Sequence, residues 1–222
     1  MELIKFFVEV RYSQLHRLFH AYEELYSSLT GQEAKEREPA LLPGFGLNVK
    51  EKKMRVVVDP ERCIVDLEYV PNPGYCVDTV LQTLRRISEV AALPSLRRLG
   101  ARSWWIKPSQ IEFNKLVRIY KEQLFQSNPF VDNSVDIGAS FILNHEGYKA
   151  NISFGPMEMP QLQDMLFSHP VELPPVLTFL DVDYYIVREG LEYSEKLIRD
   201  VAKGALEFAK QQSENLEAML KE

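Results

Sequence analysis

Residues 3–12 (Leu-Ile-Lys-Phe-Phe-Val-Glu-Val-Arg-Tyr) alternate in character, with Phe6, Val8, Val10 and Tyr12 on one side, and predict a strand. The period then changes. Leu15, Leu18, Phe19, Tyr22, Leu25, Tyr26 and Leu29 fall at helical spacing, with Ser13 placed to cap the helix. The polar, charged stretch Thr30 to Pro43 predicts a mobile loop. Strands are predicted at Gly46 to Lys50, Met54 to Val58 and Cys63 to Val70, separated by charged turns. After Pro71-Asn72-Pro73-Gly74, helical spacing returns in Val77, Val80, Leu81, Leu84, Ile87, Ala91 and Leu93.

A second run of elements has the same order. Leu96 to Ile106 is extended, and Ser109-Gln110-Ile111-Glu112 has the form of a capping box for a helix carrying Phe113, Leu116, Val117, Tyr120 and Leu124. Val135 to Leu143 and Tyr148 to Phe154 alternate on either side of His145-Glu146-Gly147, which predicts a hairpin. The proline-rich segment Gly155 to Pro175 holds a helical turn at Gln161 to Phe167. Phe179 to Val187 alternates, with Leu180, Val182, Tyr184 and Ile186 opposite Asp181 and Asp183. A turn at Glu189-Gly190 then leads into a long amphipathic helix reaching Met219. Residues 1–93 and 94–222 thus each read βαβββα. The order predicts an α+β fold of two pseudo-repeated halves in one compact unit, 1–222, with mostly antiparallel curved sheet and helices on one face.

Composition narrows the function classes. With 222 residues, 45% hydrophobic and 26% charged, the chain suits one large domain or two closely packed halves. No apolar run approaches a membrane span, and the N-terminus lacks a signal-peptide layout. Cys63 and Cys76 form neither a disulfide framework nor a zinc pattern, so buried, reduced thiols in a cytoplasmic protein are expected. Residues 85–121 carry nine Lys or Arg against two Glu, and 122–183 carry nine Asp or Glu against Lys149 alone. Internal pairing of these blocks is favoured over an acidic partner for the basic one.

Candidate chemistry is sparse. His16 and His20 sit one helical turn apart near Glu23 and Glu24, but without the glutamate spacing of a zinc hydrolase they read as a solvated face. Asp181 and Asp183 project from one strand face about 7 Å apart, close enough to share a divalent ion or divide acid and base roles. The plainer reading is that they meet water, or Arg98 and Arg102. Arg97, Arg98, Arg102, Trp104, Trp105 and Lys107 mix cations with aromatics as single-strand grooves do, yet the pI of 5.4 makes nucleic acid the less favoured partner. Phosphate-binding glycine loops, nucleophile elbows and HExxH are absent from the sequence.

Three stretches carry a resemblance. Arg98-Leu99-Gly100-Ala101-Arg102-Ser103-Trp104-Trp105, Leu180-Asp181-Val182-Asp183-Tyr184 and Phe6 to Tyr12 resemble a sporadically distributed family of uncharacterised bacterial proteins. Its central strand reads approximately Arg-Ile-Gly-Leu-Arg-Tyr-Ile-Asn; Trp105 stands where that family has asparagine. The resemblance implies no activity and marks Arg98, Arg102, Asp181 and Asp183 as the polar residues to follow.

The sequence therefore predicts a non-catalytic binding module for a protein partner or small ligand. Its binding residues would be Arg98, Arg102, Trp105, Asp181 and Asp183, with no metal or cofactor. A metal-dependent enzyme using Asp181 and Asp183, and a nucleic-acid binder using 85–121, are the alternatives. A homodimer is expected because Gln211 to Leu220 keeps an apolar edge beyond the reach of an ordinary sheet.

Overall fold

A computed structural model describes residues 1–13, 18–30, 45–49, 53–69, 72–168 and 173–220. The elements follow as β1 (Glu2–Tyr12), α1 (Leu18–Thr30), β2 (Phe45–Val49), β3 (Met54–Val58), β4 (Arg62–Glu68), α2 (Pro73–Ala91) and β5 (Leu96–Ser109). Then come α3 (Phe113–Leu124), α4 (Pro129–Asp132), β6 (Ala139–His145), β7 (Tyr148–Glu158), α5 (Met159–Met165), β8 (Val176–Leu191) and α6 (Glu195–Met219). The fold is α+β. Among the described residues, eight antiparallel strands form one sheet in the order β2-β3-β4-β1-β5-β8-β7-β6. The two runs of elements meet at β1 and β5, which pair from Glu2 with Ile106 to Tyr12 with Leu96.

Alternation decides which side chains enter the main core. Phe6, Val8, Val10 and Tyr12 of β1 join Leu99, Ala101 and Trp105 of β5 and Leu180, Val182 and Tyr184 of β8. Among the described residues, four helices cover that side. α2 presents Cys76, Val77, Val80, Leu81, Leu84, Ile87 and Ala91, and begins where the Asn72 carbonyl oxygen Oδ1 accepts from Tyr75 N at 2.8 Å ahead of Pro73. α6, about 37 Å long, packs on β5 and β8. Its small residues Ala202, Ala205 and Ala209 are buried, and Gly204 rests on the Tyr184 ring. α1 packs on α2, and α3 on β7. Both cysteines are free and buried; desolvation pushes both thiols up, Cys76 to about 12.

The details differ from the pattern in several places. Gly190, at φ 71, does not end its strand; β8 runs on to Leu191 and α6 starts at Glu195, with Ser194 accepting from Leu197 N. Ser109 belongs to β5, so it cannot cap α3. Its hydroxyl accepts from Ile111 N, and α3 starts after Glu112 without a side-chain cap. Gly155 and Pro156 are part of β7 rather than of a loop. Pro156 pairs with Thr178 beyond Phe154, the last residue facing β6, where a missing N–H breaks no ladder bond on that side. Val135 lies outside the hairpin and is exposed. The loop expected from Thr30 to Pro43 lies outside the described residues beyond Thr30, as do His16 and the side chain of His20.

One helix breaks the one-sided arrangement. α5 lies on the other face, where Leu162 is buried with Ile4, Trp104, Ile106, Leu177 and Phe179 in a second, smaller core. The end of α6 also differs from expectation: Leu216 and Leu220 are buried within the chain, Met1 N lies 2.6 Å from Glu217 Oε1, and Ala218 and Met219 are exposed. The chain itself thus covers Leu216 and Leu220 of the edge from which a dimer is expected, and leaves Ala218 and Met219 uncovered. No helix among the described residues is long and apolar enough to cross a membrane.

Candidate functional site

On the face opposite the four helices, the same alternation lines up charged residues in register rows. Lys5 stands beside Glu68 and Trp104, and Trp104 beside Asp181 and then Ser153. Phe7 stands beside Asp66 and Arg102, and Arg102 beside Asp183 and then Asn151. The ion pairs run mostly along diagonals of this grid, which long arginine side chains can span.

Arg102 clamps Asp181: Nε donates to Oδ1 at 2.7 Å, and the terminal nitrogen donates to Oδ2. Arg98 clamps Asp183 at 3.1 and 2.8 Å and also donates to Glu9 at 2.7 Å; Glu9 in turn accepts from Arg11. Gly100 makes this possible. A Cβ there would stand 3.0 Å from Tyr185 Cβ and 3.3 Å from the Arg98 guanidinium carbon, which lies over the Tyr185 ring. Burial pushes the Asp183 carboxyl up, against the pull of Arg98 and then Arg102. The hydrogen bond to Asp181 pushes the Arg102 guanidinium up, although burial opposes it.

The four residues marked by alternation and resemblance therefore come together as two pairs. Trp105 does not join them. It points to the helix side, buried in the main core, with its indole Nε1 donating to Ser103 Oγ at 3.0 Å. Trp104 is the tryptophan that shares the charged face, packed edge-on against Phe7 and Phe179.

A second charged cluster was not foreseen. Lys5 Nζ lies 2.9 Å from Glu68 and 3.2 Å from Asp66, and Arg55 reaches Asp66 at 2.8 Å. Glu68 also accepts from Phe167 N, Ser168 N and Ser168 Oγ, which ties the chain after α5 down onto the sheet. Cations of Lys5 and Arg55 sit over the Phe167 ring at 5.2 and 5.0 Å. The signal was present: Asp66 and Glu68 alternate with Val65 and Leu67 just as Asp181 and Asp183 do with Leu180 and Val182.

In the Arg102–Asp181 pair, the guanidinium is 39% exposed and the carboxylate 12%. Arg102→Ala and Asp181→Ala should each lower the melting temperature. The double substitution should cost less than their sum, by a coupling of about 1 kcal/mol. Thermal or urea denaturation of the four proteins measures it; strictly additive effects would mean the two side chains act independently.

The far edge of the sheet has a different character. Among the described residues β6 pairs only with β7, and Ala139 to His145 holds no Lys, Arg, Asp or Glu. Phe141 (50%), Ile142 (71%) and Leu143 (41%) are exposed there, and so are Phe130 (90%) and Val135 (86%) in the segment leading into it. Phe141 stacks on Phe154, whose ring contacts Tyr120 of α3. On the charged-face side, Ser140, Ser153, Met157 and Phe179 line an open hollow of about 440 Å³ beside the edge. Sequence reasoning found this hairpin but not its exposure, because alternation names a side and not what covers it.

No protein-family model and no curated protein matches this chain.

Proposed function

We propose that this chain is a non-catalytic interaction protein that receives a protein partner at the β6 end of its sheet. The observation that carries the reading is the grouping of exposed apolar side chains: Phe130, Val135, Phe141, Ile142 and Leu143 belong to one short stretch, while the other large apolar side chains among the described residues are mostly buried. An uncharged edge strand with such side chains is a template for another strand, and monomeric proteins normally guard such edges with charge, proline or a bulge. The family resemblance belongs to the same proposal and adds no chemistry to it.

The paired carboxylates support the same choice. Both oxygens of Asp181 and both of Asp183 already accept from guanidiniums, so a metal-dependent reaction there would first have to displace Arg102 and Arg98. The basic 85–121 segment is answered within the chain as well. Arg85 meets Glu195, Arg97 meets Glu189, Arg118 meets Glu122, and Arg86 and Lys121 donate to backbone carbonyls. These cations lie on α2, β5 and α3 rather than along one groove.

Site-specific photo-crosslinking tests the proposal. A photoreactive residue replacing Ile142 should give discrete adducts that excess unlabelled protein suppresses, whereas one replacing Asn48 on the opposite edge strand should not. Equal adducts from both positions, or none from either, would overturn it.

A further inference from the structure

We infer that the partner at this edge is a second copy of the same chain, paired antiparallel through β6 about a two-fold axis at Ile142; the inference rests on the interaction reading just given. The strand is complementary to itself. With Ile142 opposite its own equivalent, Phe141 falls opposite Leu143 of the second copy, Ser140 opposite Asn144, and Ala139 opposite His145. Phe141 and Leu143 are in register with Ile152 and Ala150, both on the helix side, so apolar meets apolar there. Ser140 and Asn144 lie on the other side, so polar meets polar. A slip of one residue would put Phe141 opposite Asn144 or Ile142, and mix the two sides' partners.

Charge leaves this register unopposed. Ala139 to His145 holds no Lys, Arg, Asp or Glu, so no like charges face each other when the strand meets itself, although the chain as a whole carries a net charge of -6. The contact also extends layers already present. Phe141 stacks on Phe154, and Phe154 contacts the tilted Tyr120 ring, so a Leu143 from the second copy prolongs a packed apolar row rather than starting one. The exposed Phe130 and Val135 precede β6 in both copies and are available to widen the contact beyond the strand pair, which alone falls short of a standard interface. The opposite edge is less suited. Leu47 and Val49 of β2 already pack against the main core, and α1 lies against that strand. Joining β6 of one copy to β2 of the next would also leave edges open and generate chains instead of a closed pair.

Sedimentation equilibrium at micromolar concentration should find a dimer for the full chain. Ile142→Lys places two ammonium groups across the axis and should raise the dissociation constant at least about a hundredfold. Its melting temperature, read at concentrations where both proteins are monomeric, should stay unchanged because Ile142 is exposed. Ile142→Cys should form an intermolecular disulfide under mild oxidation, since opposed Cα atoms in an antiparallel pair lie about 4.5–5.5 Å apart. Cys63 and Cys76 are buried and take no part. A monomeric wild type, a dimer indifferent to Ile142→Lys, open-ended oligomers, or an Ile142→Cys variant that stays uncrosslinked would each overturn the inference. A monomer whose Ile142 position crosslinks to a different protein would overturn the self-pairing and leave the interaction reading standing.

Discussion

Lys5→Ala should cost the fold about 3–5 kcal/mol, because it leaves two deeply buried carboxylates without their shared cation. The Lys5 side chain is 3% exposed, Asp66 3% and Glu68 0%, so the two carboxylates have little contact with water. The deficit should depend on pH in a definite direction. Burial raises the Asp66 carboxyl above its ordinary range, and Lys5 and then Arg55 pull it back down. A carboxyl raised in the folded state holds its proton more tightly folded than unfolded, so ionisation works against the fold and protonation relieves it. Removing Lys5 raises it further. The difference between variant and wild type should therefore shrink as pH falls from neutral through the folded-state value. Urea denaturation across a pH series reads both effects. A deficit below about 1 kcal/mol at neutral pH, or one that grows on acidification, would show that Arg55 alone neutralises the cluster.

The second large effect is expected at Arg98, which serves two carboxylates at once. Arg98→Ala should destabilise by about 2–3 kcal/mol, less than at Lys5 because Asp183 keeps some contact with water. Arg98 is 16% exposed, Glu9 12% and Asp183 22%. Arg98→Lys should recover only part of the loss. An ammonium is a point charge, whereas the guanidinium here donates to both Asp183 oxygens and to Glu9 while lying over Tyr185. Comparing the three melting temperatures decides it. Full recovery by lysine would mean that net charge, and not the fork, holds these strands together.

Much of this architecture was legible in the sequence, because burial on one side of a strand leaves a period of two and burial of one helix face leaves a period near 3.6. That is why β1, β3, α2 and the core of β8 were read nearly to their ends. The same periods could not say what lies on the second side. Lys5 and Glu9 alternate with Phe6, Val8 and Val10 as solvent-facing residues would, yet both are buried, because β1 lies in the middle of the sheet and its second side is covered in part by α5 and the chain after it. Gly190 looked like punctuation, but a single left-handed glycine inside a long strand can bend it without ending it. At the candidate site, the pairing of Arg98 and Arg102 with Asp183 and Asp181 was visible as opposite charges on two strands. The placement of Trp105 was not, since only the register tells which of two adjacent tryptophans faces the helices.

The seam between β1 and β5 also bears on how the chain comes together. Val8 meets Ala101 and Phe6 meets Ser103, so the contacts joining the two runs of strands close loops of roughly 90 residues. During synthesis β1 emerges first, and β4 can zip onto one of its edges as soon as residues 62–68 are made. Its other edge has to wait for β5, with a strongly apolar strand left unsealed in the meantime. Such long-range closure slows folding, and an unsealed edge exposes the intermediate to association. The slow step of refolding should therefore be the docking of the second run onto the first, with substitutions along Phe6, Val8 and Val10 slowing it more than substitutions in β6.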